Sequence, residues 1–144
     1  MIYFDKVSKI YFDNSIALED VSFTVKPGEF VSVVGHSGAG KSTLLKMILA
    51  EERPTSGSVF FESINIHSLS RRHIPYLRRR IGSVFQDFKL LPHKTAYENI
   101  AFTMEAAGRT DEEIESDVPH VLEIIGLEDK MWHFPFELSG GERQ

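Results

Sequence analysis

Apolar and polar positions alternate along the first part of the chain and give way to helical spacing further on. Ile2-Tyr3-Phe4 and residues 17–25 alternate with a period of two, placing Val21, Phe23 and Val25 on one face, and predict half-buried strands. Asp13-Asn14-Ser15 supplies the turn between them, and Pro27-Gly28 a second turn. Residues 30–34, Phe-Val-Ser-Val-Val, predict a buried strand that runs into a glycine-rich loop at 35–40. Residues 41–50 then show helical spacing through Leu44, Leu45 and Ile48. After a turn at 54–57, residues 58–64 predict a strand. A basic stretch at 69–80 has helical character interrupted by Pro75, and residues 81–85 predict another short strand.

The remainder predicts helices. Thr95-Ala-Tyr-Glu98 is a capping box opening a helix that ends near Gly108. Thr110-Asp-Glu-Glu113 is a second box, opening a helix with Ile114, Val118, Val121, Leu122 and Ile125 on one stripe and its end at Gly126. Pro119 should kink or break that helix. Ser139 reads as the N-cap of a last helix. Strands alternating with helices imply an α/β fold, with the strand-rich beginning as a lobe beside it.

Composition narrows the field. The 144 residues suit one domain or a large part of one. A formal charge of −5 argues against nucleic acid as a partner. The chain has no cysteine, so neither a disulfide framework nor a thiolate metal site is open to it. No window approaches the roughly 20 apolar residues of a membrane-spanning helix.

Residues 35–43, Gly-His-Ser-Gly-Ala-Gly-Lys-Ser-Thr, fit the phosphate-loop pattern G-x-x-x-x-G-K-S/T between a predicted strand and a predicted helix. Glycines at 35, 38 and 40 let successive backbone N–H groups, with those of His36, Ser37 and Ala39, wrap phosphates without a Cβ in the way. The helix beginning there aims its unpaired N–H groups and its dipole at the same anion. In this pattern Lys41 sets its ammonium on the β- and γ-phosphates, the Ser42 hydroxyl ligates Mg²⁺, and Thr43 follows at the helix start. The bland alternative is a glycine-rich turn heading a helix. His36 either fills a variable loop position or titrates near the phosphates.

Leu138-Ser-Gly-Gly-Glu-Arg-Gln144 resembles the signature motif of ABC ATPases, and with the phosphate loop it identifies the chain as similar to that family. The resemblance implies a P-loop NTPase fold of the ABC nucleotide-binding type, with an antiparallel β lobe and a helical subdomain. By that match, residues 1–85 would form the core and lobe and residues 86–144 the helical subdomain. It implies ATP and Mg²⁺ as cofactors. In a homodimer, Ser139, Gly140, Gly141 and Glu142 would contact the ATP held by the opposite protomer. Gln86, at the end of Ser83-Val-Phe-Gln-Asp87, takes the family's role beside Mg²⁺ and the attacking water, catalytic together with Lys41. Tyr11 takes the role of the aromatic that stacks on adenine, with Phe12 the competing choice and a core aromatic the bland one.

Residues 1–11, 35–46, 52–57, 76–92 and 94–102 further resemble the cell-division branch of the family. That branch works peripherally on the cytoplasmic face of the membrane, docked to an integral membrane partner. Ser63 and Asn65 depart from glycine and aspartate common in relatives. The segment 88–97 is where the family receives its membrane partner, with Leu90, Leu91 and Pro92 either forming that contact or packing internally. The arginines at 71, 72 and 78–80 either face anionic lipid or form a solvated basic surface. The runner-up within the family is the ATPase of a lipoprotein-release or macrolide-export type complex. A soluble ABC protein acting on DNA or ribosomes, and a nucleotide sensor that does not hydrolyse, are readings from other classes.

An apolar strand ending in the aspartate–glutamate pair that hydrolysis requires is not found. Residues 16–20, 84–87 and 124–129 come nearest, and none fits. With one turn of helix left after Ser139, the sequence reads as a chain cut short after the signature, binding nucleotide weakly, not hydrolysing it, and prone to aggregate.

Overall fold

In the computed structural model, which describes residues 1–144, Phe4 and Val7 are both fully buried. A regular strand would send residues three apart to opposite faces. Strand β1 (Ile2–Ile10) resolves this with a bulge: its register against β2 (Ile16–Val25) slips between Phe4 and Val7, and Lys6 takes a φ of 47°. The Lys6 N–H, turned out of the ladder, donates to Ser22 Oγ at 2.9 Å. On the other side of β1, strand β3 (Ser56–Phe61) carries Gly57 at φ 81°. A Cβ there would lie 2.2 Å from the Lys6 carbonyl oxygen, so the bulge and the glycine form one device. A second irregularity in β2, with Asp20 at φ 46° and its N–H donating to Ser8 Oγ at 3.0 Å, lets Leu18 and Val21 join the same core.

The sheet is antiparallel with strand order β2-β1-β3-β4, where β4 is Ile64–Asn65. Phe4 stacks on Phe23 with centroids 4.6 Å apart, as their pairing across β1 and β2 requires. Helix α1 (Lys41–Ile48) buries Met47 in this cluster together with Val59, Ile66 and Leu77. Leu77 comes from α2 (Ile74–Arg78), where Pro75 lies in the first turn and begins the helix rather than interrupting it. Arg78 Nε donates to the Leu49 carbonyl at 2.8 Å, and Arg80 pairs with both Glu62 carboxylate oxygens at 2.8 Å. Those two arginines are engaged within this unit, though they remain exposed, as Arg71 and Arg72 are. These elements make up the first of two units, Met1–Gly82.

Two expected strands do not form. Residues 30–34 and 81–85 pair with no neighbour, and Phe30 and Val34 are 94% and 85% exposed. A strand is held by its ladder, and neither segment is hydrogen-bonded into the sheet. Phe30, Val31 and Val33 instead border an apolar hollow of ≈ 660 Å³ shared with Ile2, Val25 and Ile48. The third strand starts and ends earlier than expected, because Glu62 at φ 56° turns the chain back into β4.

The second unit, Ser83–Gln144, is helical. Both expected capping boxes are present: Thr95 with Glu98 opens α3 (Ala96–Ala107), and Thr110 with Glu113 opens α4 (Asp111–Ile124). Gly108 ends α3 at φ 85°, and Gly126 follows α4 at φ 69°. Pro119 lies inside α4 without ending it. Ile114, Val118 and Leu122 form the buried stripe against Ala101, whereas Val121 and Ile125 lie on the flank, 40% and 57% exposed.

Replacing Gly57 with alanine should lower unfolding stability by roughly 2–4 kcal/mol, combining a left-handed backbone with a clash against main chain. Gly28→Ala, at φ 75° with open space around it, should cost only about 1 kcal/mol. Urea denaturation of the two variants checks the difference.

Candidate functional site

Residues 35–39 form an exposed loop between the extended segment and α1. An Ala39 N–H to His36 O bond of 3.2 Å closes a turn inside it. Gly40 is the N-cap of α1, with φ 83° and no capping side chain, so the first N–H groups of the helix meet no side-chain acceptor. Gly40 is itself buried: a Cβ would sit 2.3 Å from the Ala17 carbonyl oxygen on β2. Only glycine meets both demands, the left-handed backbone and the contact with β2. Gly38, at φ 85°, has open space where a Cβ would be. The loop thus offers backbone donors with one glycine anchored against the sheet and another bare to solvent.

Lys41 folds its ammonium back over this loop, donating to the carbonyls of Gly35 at 2.9 Å and His36 at 2.7 Å. The His36 ring Nδ1 lies 2.7 Å from the Ser37 carbonyl, so it carries the proton there, and the ring is tied to the loop's own main chain. Ser42 is exposed at the start of α1, and Thr43 is buried. Thr43 Oγ1 is 3.3 Å from the Tyr11 hydroxyl, which brings Tyr11 to the same place as the loop. Phe12 projects fully into solvent, 109% exposed. A backbone cradle, one ammonium lying over it and an accessible hydroxyl fit a polyphosphate with its divalent ion.

The other expected residues lie in the second unit. Gln86 is exposed within a tight local turn, where Lys89, at φ 55°, pairs with Asp87. The Lys89 bond holds the Asp87 carboxyl below the usual carboxylate range. Ser139 caps α5 (Gly140–Arg143) and, with Glu142, forms a full capping box in place of the single cap expected. The Ser139 N–H donates to Glu142 Oε2 at 2.7 Å. Lys130 pairs with the same carboxylate. The side-chain bond from Lys130, then those from Ser139, hold the Glu142 pKa down to about 2. S-x-x-E spacing was the available signal for the box; Lys130, twelve positions earlier, gave none. No sequence pattern marks Lys9, whose ammonium lies over the Tyr11 ring.

The segment 88–97 is fixed by Asn99. Its Oδ1 accepts from the Leu91 N–H at 2.8 Å, and its Nδ2 faces the carbonyls of Leu91, Lys94 and Thr95 at 3.2, 3.0 and 2.9 Å. Leu90 and Leu91 are half-buried and Pro92 is exposed.

The chain belongs to the ABC transporter family, whose model matches residues 18–144. Its fold is the ABC nucleotide-binding α/β fold with an antiparallel β lobe. It is similar along its whole length to the cell division ATP-binding protein FtsE of Escherichia coli K12, at 46% identity, and of Bacillus subtilis 168, at 47%. The chain spans 65% and 63% of the lengths of those two relatives. Among solved structures it is similar to the dimeric ATP-binding cassette MJ0796 in a post-hydrolysis state bound to ADP and Pi. There the TM-score is 0.87 and the identity 35%, over 99% of this chain and 65% of that one.

The Glu142 carboxyl should titrate near 2 and contribute to stability above its unfolded value near 4.5, that contribution fading as pH falls from 4.5 towards 2. Carboxyl carbon NMR should show the midpoint rising towards 4.5 in Lys130→Met.

Proposed function

We propose that this chain is the ATP-binding portion of an FtsE-type ABC ATPase, taking Mg-ATP at residues 35–43. The observation that carries the reading is the loop itself: Gly40 wedged against β2 at the head of α1, with the Lys41 ammonium poised over a ring of exposed main chain. Gly35, His36, Ser37, Gly38 and Ala39 would contribute backbone donors to the phosphates, and Lys41 would exchange its two carbonyl partners for phosphate oxygens. Ser42 would hold Mg²⁺, with Gln86 the candidate second ligand and the residue orienting water. Tyr11 would stack on adenine. When bound, the nucleotide and its metal supply the phosphoanhydride and the charge neutralisation; this chain's residues bind and orient them.

The dimeric state of MJ0796 supports a homodimer here, in which Ser139, Gly140 and Gly141 would face the opposite protomer's nucleotide. Glu142, its carboxylate already engaged by Ser139 and Lys130, would serve that turn by shaping it. Similarity to FtsE supports a role in cell division at the cytoplasmic face of the membrane, with a membrane protein resembling FtsX as partner. In that role ATP binding and hydrolysis would drive FtsX to activate cell-wall hydrolases. The Asn99-braced loop at 88–97 is the proposed docking site, with Phe88 and Pro92 its exposed apolar points. Arginines 71 and 72 would face anionic lipid beneath the partner.

Calorimetry should show Mg-ATP binding by the chain, with Lys41→Ala weakening it about 10- to 100-fold, the range of lost charge-assisted bonds. Ser42→Ala should retain binding of metal-free ATP but lose the gain on adding Mg²⁺. No heat of binding in the parent chain, at concentrations where the nucleotide saturates related cassettes, would contradict the reading. Charge introduced by Leu91→Glu should abolish co-purification with FtsX while leaving nucleotide affinity unchanged.

A further inference from the structure

Lys9 occupies an unusual place for a strand lysine. Its side chain is only 14% exposed. The ammonium is held by the Glu52 carboxylate at 2.8 Å and the Arg53 carbonyl at 2.8 Å, and it lies over the Tyr11 ring, 5.0 Å from the centroid. Fixing a lysine this way gives up its rotamer freedom, and the three contacts offset that loss. Its charge is felt in the surrounding pocket: burial first, then Arg53 and Lys9, push the half-buried His67 imidazole below its ordinary pKa.

Tyr11 is fixed from the other directions as well. Its N–H donates to the Ser15 carbonyl at 3.0 Å, and its own carbonyl accepts from Asn14 at 2.9 Å. Its hydroxyl reaches the buried Thr43 at the head of α1. A flat ring has two faces, and Lys9 takes one of them. The cation draws on the electron density of that face and holds the ring plane against rotation. Glu52 and Arg53 follow α1 in the chain, so the same clamp joins β1, which ends one residue before Tyr11, to the segment just beyond the far end of α1.

We infer that Lys9, locked by Glu52, is a positioning residue for the nucleoside end of the ligand: it sets the plane of Tyr11 so that the opposite face receives a purine base. This rests on the reading of Tyr11 as the stacking aromatic. A cation–ring contact of this kind, partly desolvated, translates into about a three- to tenfold change in base-dependent affinity. Its action is confined to the base, because Lys9 donates to Glu52 and Arg53 and the phosphates have Lys41.

The test is calorimetric titration of ATP and, separately, inorganic tripolyphosphate into the full chain and four variants. Lys9→Met should bind ATP about three- to tenfold more weakly and tripolyphosphate as before. Lys9→Arg should restore ATP affinity, and Glu52→Gln should reproduce part of the loss. If Tyr11→Ala weakens ATP while Lys9→Met and Glu52→Gln do not, Lys9 is a structural ion pair and the inference fails alone. Equal losses for ATP and tripolyphosphate in Lys9→Met would overturn it too, since the effect would then act through the phosphate loop. If Tyr11→Ala leaves ATP binding unchanged, the stacking assignment falls and the inference with it. Should circular dichroism show Lys9→Met unfolded, Glu52→Gln decides by the same comparison.

Discussion

The contact between Gly40 and the Ala17 carbonyl is the constraint on which the phosphate loop depends. At 2.3 Å from a would-be Cβ, the oxygen leaves room only for hydrogen, and the backbone φ of 83° is likewise one that glycine takes freely. That single position ties the start of α1 to β2. Once the helix start is fixed, Lys41, Ser42 and Thr43 follow in three directions: back over the loop, out to solvent, and inward to Tyr11. The antiparallel lobe therefore does more than border the site. It fixes where α1 begins through Gly40, and it carries Tyr11, whose hydroxyl meets Thr43 in that helix.

The second unit works by different means. Its motifs are held by short-range polar contacts more than by wide apolar packing. Asn99 braces 91–95, Lys89 pairs across a turn with Asp87 beside Gln86, and Glu142 closes the turn at Ser139. Exposed side chains such as Gln86 can then present themselves from a shaped backbone without being buried.

How much of this was legible in the sequence follows from the range of each interaction. The capping boxes at Thr95 and Thr110, the glycine helix ends and the glycine-rich turn before α1 close within a few residues, so the pattern alone shows them. The bulge at Lys6 was not visible, because it depends on Gly57, some fifty positions away, lying against it. Residues 30–34 and 81–85 have the composition of buried strands, yet composition cannot supply the neighbouring ladder that makes a strand. Lys9 escaped notice for the same reason as the bulge. Its spacing of two from Tyr11 is readable, but Glu52 and Arg53 arrive beside it only through the fold. Pro75 was misread as an interruption because proline has opposite meanings at the first turn and in the middle of a helix.

The boxes at Thr95, Thr110 and Ser139 each close across three residues, whereas Ile2 finds Phe61 only after most of the first unit has been laid down. The two halves accordingly face unequal entropic hurdles during self-assembly. Helical turns in the later half can nucleate almost as soon as their residues exist, while the earlier sheet must await closure of a long loop. Order of synthesis and order of acquiring structure are thus set against each other in this polypeptide.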